Sequence, residues 1–331
     1  MTNETKLYFD NDVSLDFIKD KTVAVIGYGN QGSAQAKNLR DSGISVCIGL
    51  REGGESFKRA SKDGFECLSI EGAVKKSNII SILVPDQEIP ECYNTSIAPN
   101  LSQGSMLLFS HGYNIHYKCI KVPEGVDVIM VAPSGPGTMV RSLFKKGKGV
   151  PTLVAVEGDS KDVLDIALSY SKAIGGTRSC AFLSTFKEET ETDLYGEQVM
   201  LTGIIPKSIK ESFKVLLEGG YSPVVAWFVC FYEVKNIVDM MSEKGVFDMF
   251  DAVSDTAAYG GLSRGNRLIN SSVKGEMKTI LNEIKSGNFH KEWDLEAREG
   301  LYKLGAMKEK DSSDEIFDQI TKSILPKLKE N

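Results

Sequence analysis

Three groups of residues in this sequence have the types and spacing to do chemistry. Glu189, Asp193 and Glu197 recur at every fourth position, so one helix through them would carry three carboxylates on a single face. Like charges at that spacing repel. A solvated surface helix is the plain reading, but the run Val199 to Ile205 would continue the same helix as a buried segment. Carboxylates leading into a core helix suit a hard divalent cation such as Mg²⁺, which prefers oxygen ligands and keeps other positions for water or substrate. The second group is Gly27-Tyr28-Gly29-Asn30-Gln31-Gly32, with glycines at the G-x-G-x-x-G positions. Gly27 allows a tight turn, Gly29 lets backbone approach a pyrophosphate, and Gly32 lets a helix pack closely on a sheet. The third is His111 with His116, two of only three histidines, standing together after a strand. Such a histidine can exchange a proton near neutral pH, or be an ordinary loop residue.

The elements around these groups form a coherent frame. Thr22 to Ile26 is an apolar strand, the helix after the glycines runs to about Ser42, and Ile44 to Gly49 is the second parallel strand. That strand–turn–helix–strand order is the context the glycine motif requires, and the helix N-terminus would face a phosphate. Beyond the second strand stand Arg51, Glu52, Ser56, Lys58 and Arg59. Donors outnumber the single acid, which favours NADPH over NADH, although Lys58 and Arg59 serve equally well as a solvated helix face. Further strands at Ile79 to Val84, Met106 to Ser110, Val126 to Ala132 and Pro151 to Val156 deliver Pro85-Asp86-Gln87-Glu88, His111 and the Pro133-Ser134-Gly135-Pro136-Gly137 loop to one sheet edge. In a doubly wound sheet ligands lie beyond that edge, so Asp86, Gln87 and Glu88 should border the cofactor. Leu7 to Phe9 and Leu15 to Ile18 read as a short strand and helix covering the sheet edge. From about Phe182 the periodicity is helical, with helices at Ile209 to Glu218, Pro223 to Lys244, Met277 to Ile284 and Asp314 to Leu328, and Ser254 as a helix cap. The fold class is therefore α/β, a Rossmann-type doubly wound sheet over 1–181, followed by an all-α domain over 182–331.

With 331 residues the chain can bury a core in each domain. A formal charge of −6, with acids and bases interspersed, argues against a nucleic-acid or anionic-membrane partner. No apolar run is long enough to span a bilayer, and the polar, acidic start does not resemble a signal peptide. The six cysteines are scattered without a C-x-x-C pair, as expected of free thiols in a reducing cytoplasm.

These motifs, together with NLRDSG, GLREG, PDQE, HGYNIH, GVPTLVAV, IGGTR, TFKEETETDLYGEQ, LEGGY and SDTA, make the chain resemble the short form of the ketol-acid reductoisomerases over nearly its whole length. The resemblance implies a Mg²⁺-dependent alkyl migration in 2-acetolactate or 2-aceto-2-hydroxybutyrate, followed by reduction with NADPH, on the way to valine and isoleucine. It implies NADPH contacts from Tyr28, Asn30, Gln31, Arg51, Ser56, Asp86, Gln87, Glu88, Ile89 and Gly137. It further implies His111 as the active-site histidine, Asp193 as ligand to both of two Mg²⁺ ions, Glu197 as ligand to the first, Glu233 to the second, and Ser254 as a substrate contact. The helical domain would be knotted and paired with a second copy, which would supply Glu233, so a homodimer at least is expected.

Two positions depart from the family pattern. Ser134 stands where the family has lysine, and Val229 where it has a glutamate four residues before Glu233. Losing that carboxylate should weaken the second metal site. A reductase of simple 2-keto acids with an impaired isomerase step, or a non-catalytic NADPH-binding subunit, is the alternative these departures keep open.

Overall fold

The structure, a computed structural model, describes residues 6–158, 160–312 and 315–330. It divides between Thr192 and Asp193 into two compact units, inside the helix Phe186–Tyr195.

The first unit is built on a nine-stranded sheet: β1 (Leu7–Tyr8), β2 (Thr22–Ile26), β3 (Ser45–Gly49), β4 (Glu66–Leu68), β5 (Ile79–Ile82), β6 (Met106–Phe109), β7 (Asp127–Pro133), β8 (Thr152–Glu157) and β9 (Ala181–Leu183). Their order across the sheet is β1-β9-β8-β7-β6-β5-β2-β3-β4. The strands from β4 to β7 all run parallel, which brings the ends of β2, β5, β6 and β7 to the same edge. β8 runs antiparallel to β7, and β1 closes the far edge against β9. Ile26, Ile80, Ile82, Leu107 and Phe109 pack on one face, while Val23, Val25, Ile48, Leu108 and Val131 pack on the other. Strands apolar on both faces are what a sheet covered on both sides demands.

Two local readings change. Leu15 to Ile18 is a turn closed by Ile18 N–H on Leu15 C=O, not a helix. The Ser14 hydroxyl bonds both the carboxylate and the N–H of Asp16, offering the backbone a competitor to helical hydrogen bonds. The three-residue β4 escapes a periodicity reading because it is too short to show one.

The second unit is all helical. Its compact core joins Phe213, Ala226 and Trp227 to Phe317 and Ile320, and the Trp227 indole N–H donates to Thr321 at 2.9 Å. Of the expected buried continuation Val199 to Ile205 only Val199 is fully buried; Met200 and Leu201 are exposed in a π-helical segment, Gly196–Ile204, and Ile205 opens the next helix. The single helix expected from Pro223 to Lys244 is instead Pro223–Trp227, a π turn Phe228–Tyr232, and Val234–Lys244. The expected start of the last helix at Asp314 lies outside the described residues; its described part is Glu315–Glu330.

Trp227→Ala should destabilise the helical unit by about 3–5 kcal/mol, read as a lowered urea midpoint. Trp227→Phe, which loses the bond to Thr321 but keeps most of the packing, should cost less.

Candidate functional site

The glycine turn after β2, at Gly27, Tyr28 and Gly29, forms one wall of a cleft of about 830 Å³. Gly27 has φ +98, and a Cβ there would meet Leu83 C=O at 2.8 Å. A Cβ at Gly32 would meet Gly27 C=O at 2.4 Å, whereas at Gly29 nothing lies within 4 Å. Backbone is thus packed below the turn and open above it, where a phosphate would come to the helix N-terminus. Arg51, Gly54, Glu55 and Ser56 line the cleft after β3, and Pro85, Glu88, Glu91, Cys92, Thr95 and Ser96 line it beyond β5. Volume, glycine spacing and donors all fit a dinucleotide.

Arg59 and Lys58, left open above, part company. Lys58 pairs with Glu55 on the surface. One Arg59 nitrogen donates to both Tyr28 C=O at 2.9 Å and the Ser56 hydroxyl at 3.1 Å, tying the helix Glu55–Lys62 to the glycine turn and bringing positive charge beside Ser56. Asp86 and Gln87 follow β5 outside the cleft lining, Ile89 is buried in the core, and Gly137 packs so tightly against Asn30 C=O that a Cβ would lie 2.1 Å from it. Asn114 Nδ2 donates to Asp86 C=O at 3.1 Å, linking the turns after β5 and β6.

At the end of β6, His111 Nδ1 lies 2.9 Å from Glu189 Oε1, and Gly112 N–H donates to Glu189 Oε2 at 2.7 Å. Glu189 is 3 % exposed. An ionised carboxylate only accepts, so against Glu189 the ring's Nδ1–H is the donor. Gly112 is required for this approach, because a Cβ would meet Phe186 C=O at 2.6 Å. Asp193 is one turn further along the helix that carries Glu189, as the first residue of the second unit. Its carboxylate oxygens are of the kind that suits a hard cation. Glu197 is exposed one turn beyond, at the start of the π-helical segment Gly196–Ile204.

In the second unit Glu233 is exposed directly after the π turn Phe228–Tyr232, whose geometry is set by Glu233 N–H on Phe228 C=O. Val229 is half exposed on that turn, and Ser134 is exposed after β7 in the first unit. Ser254 caps the helix Asp255–Leu268, its hydroxyl accepting from Ala257 N–H at 3.2 Å. A third π segment, Tyr93–Ile97, borders the cleft at Thr95 and Ser96. Glu189 is the residue the sequence reading undervalued. The signal was its place at the head of the carboxylate stripe, but spacing cannot tell a buried carboxylate from exposed ones.

Residues 17–180 match the model of the acetohydroxy acid isomeroreductase NADPH-binding domain, and 186–324 that of the ketol-acid reductoisomerase C-terminal domain. The chain is 52% identical over 312 residues to a ketol-acid reductoisomerase (NADP(+)) of Methanopyrus kandleri, covering 94% of this chain and 95% of that one. It is 50% identical over 325 residues to that of Pyrococcus abyssi, covering 98% and 94%. An NADH-preferring ketol-acid reductoisomerase from an uncultured archaeon has a similar structure, with TM-score 0.93 and 41% identity over 97% of this chain and 98% of the other.

Cys92 offers a direct probe of the cleft. Burial, helped by Glu71 and Glu88, pushes its thiol up to about 11, so the thiolate is scarce at neutral pH. Iodoacetamide labelling of Cys92 at pH 7.5 should run more than about a hundredfold slower than that of an ordinary free thiol. It should quicken as pH rises toward 11, and saturating NADPH should suppress it.

Proposed function

The chain belongs to the ketol-acid reductoisomerase family, an NADP-dependent oxidoreductase family, and we propose how its residues divide that family's work. The cleft beside Gly27, Tyr28, Gly29, Asn30, Gln31 and Gly32 holds NADPH, with the pyrophosphate at Gly29 and the 2′-phosphate met by Arg51 and Ser56. Asp86, Gln87, Glu88, Ile89 and Gly137 complete the surroundings of that site. The binding role belongs to 1–181, and metal, substrate and subunit contacts to 182–331. The observation that carries the reading is His111 held through Nδ1 by buried Glu189, at the same sheet edge as the cofactor cleft.

In this reading Glu189 fixes the orientation of His111, whose ring exchanges a proton at the substrate oxygens. Asp193 and Glu197 hold Mg²⁺, with Glu233 for a second ion and Ser254 contacting substrate. Bound Mg²⁺ supplies electrophilic polarisation of the substrate oxygens. Their carboxylate oxygens suit that ion's preference for hard donors. Val229 leaves the second ion with fewer protein ligands, and Ser134 leaves the loop after β7 without a cation, so the migration step bears any cost.

The helical unit supports assembly with a second copy. Tyr302, Tyr259, Leu268, Leu262 and Leu295 are all more than half exposed, and covering such side chains on association is favourable. Among the described residues no helix is long and apolar enough to cross a membrane, and we place the protein in the cytoplasm.

With NADPH and Mg²⁺, purified protein should convert 2-acetolactate. Turnover of 3-hydroxy-3-methyl-2-ketobutyrate alone would overturn the isomeroreductase reading in favour of a plain reductase. Val229→Glu should lower the Mg²⁺ concentration for half-maximal activity by about tenfold. Glu189→Gln leaves one acceptor for two donors, so it should cut kcat about tenfold or more while the NADPH dissociation constant stays within about twofold.

A further inference from the structure

A chain of buried polar side chains runs beneath the cofactor turn, and none of its inner members belongs to the site described above. Gln35, on the helix Asn30–Asp41, is fully buried. Its Oε1 accepts from the Tyr170 hydroxyl at 2.8 Å, and its Nε2 donates to Ser110 Oγ at 2.9 Å and to Gln31 Oε1 at 3.1 Å. Gln31 Nε2 in turn donates to Gly135 C=O at 2.9 Å. On the core side Tyr170 meets Ser81 at 3.0 Å.

The proton order in this chain is forced. A carbonyl oxygen only accepts, so Tyr170 donates to Gln35 and Ser81 donates to Tyr170. Burial raises the Tyr170 phenol far above its ordinary value, so it remains a donor at any working pH. The Gln35 amide then spends both hydrogens on Ser110 and Gln31. Ser110 receives one of them, so its own O–H is turned away from Gln35 at the strand end next to His111. Tyr170 and Ser81 could satisfy each other without Gln35, and an apolar residue on this helix would avoid burying an amide. The amide's distinctive effect is to join three separate turns: the glycine turn at Gln31, the β6 turn at Ser110 and His111, and the loop at Gly135.

We propose that Gln35 is a positioning residue that couples occupancy of the dinucleotide cleft to the alignment of His111, acting on the β6 turn through Ser110 and on the loop after β7 through Gln31. The inference rests on the reading of the β6 turn as the reaction site. Buried networks with a single proton arrangement rigidify what they join, and here the joined parts are the cofactor wall and the catalytic turn.

The test compares Gln35→Met, Ser110→Ala, the double variant and His111→Ala in the full-length enzyme with NADPH and Mg²⁺, measuring kcat, the NADPH dissociation constant by fluorescence, and the melting temperature. Gln35→Met should weaken NADPH binding and lower kcat, each by about tenfold, and Ser110→Ala should lower kcat similarly with NADPH binding unchanged. In the double variant kcat should fall no further than in the worse single variant, because both changes cut one path. Multiplied kcat losses, or a Gln35→Met enzyme that melts lower but binds and turns over normally, would overturn the proposal and leave the amide a packing residue. If Gln35→Met does not fold, Ser110→Ala decides alone, and an unchanged kcat there overturns the proposal. If His111→Ala keeps full turnover, the reading of the β6 turn falls as well; if it abolishes turnover while the other losses multiply, only the role of Gln35 falls.

Discussion

A single buried carboxylate holds the candidate site together. Glu189 accepts from the His111 ring and from Gly112 N–H, and it does so at 3 % exposure. Burying a carboxylate is costly unless its lone pairs are met by donors, and here two donors from one turn meet both oxygens. The same bonds press the β6 turn onto the helix Phe186–Tyr195 so closely that only glycine fits at position 112. Backbone at the end of a central strand, the orientation of a histidine and the position of the carboxylate helix are therefore one structural fact.

Around that point the first unit behaves as a rigid scaffold. Its central strands are apolar on both faces, and the glycine turn, the Pro133–Gly137 loop and the β6 turn are cross-linked by buried polar side chains rather than left to move separately. Arg59 extends the same bracing to the far side of the cleft by joining Ser56 to the glycine turn. A site that must hold hydride donor and acceptor at a fixed separation gains from such preorganisation.

The helical unit is organised differently. Its core is small, and much of its apolar surface is exposed. Two of its departures from regular helix, Gly196–Ile204 and Phe228–Tyr232, fall where candidate metal ligands stand, around Glu197 and just before Glu233. A π turn adds a residue and rotates everything after it, so it re-aims side chains that a regular helix would stack. Such segments cost helical hydrogen-bond geometry, and their coincidence with the acidic residues ties that cost to the placement of charge.

The sequence by itself determined the parallel core strands, the glycine turn, the helical second half, the Ser254 cap and the family, because these rest on local period, turn chemistry and motifs that short stretches carry whole. It also put His111 and the carboxylates among the residues to watch. Only the tertiary structure decided that Glu189 is buried against His111, that Arg59 and not Lys58 reaches the cofactor wall, and that of Val199 to Ile205 only Val199 is fully buried. Each of these depends on which residues meet across long separations in sequence, or on one inserted residue in a helical turn. A periodicity fixes which side chains share a face, but the partner packed against that face decides which of them are buried, paired or free to bind.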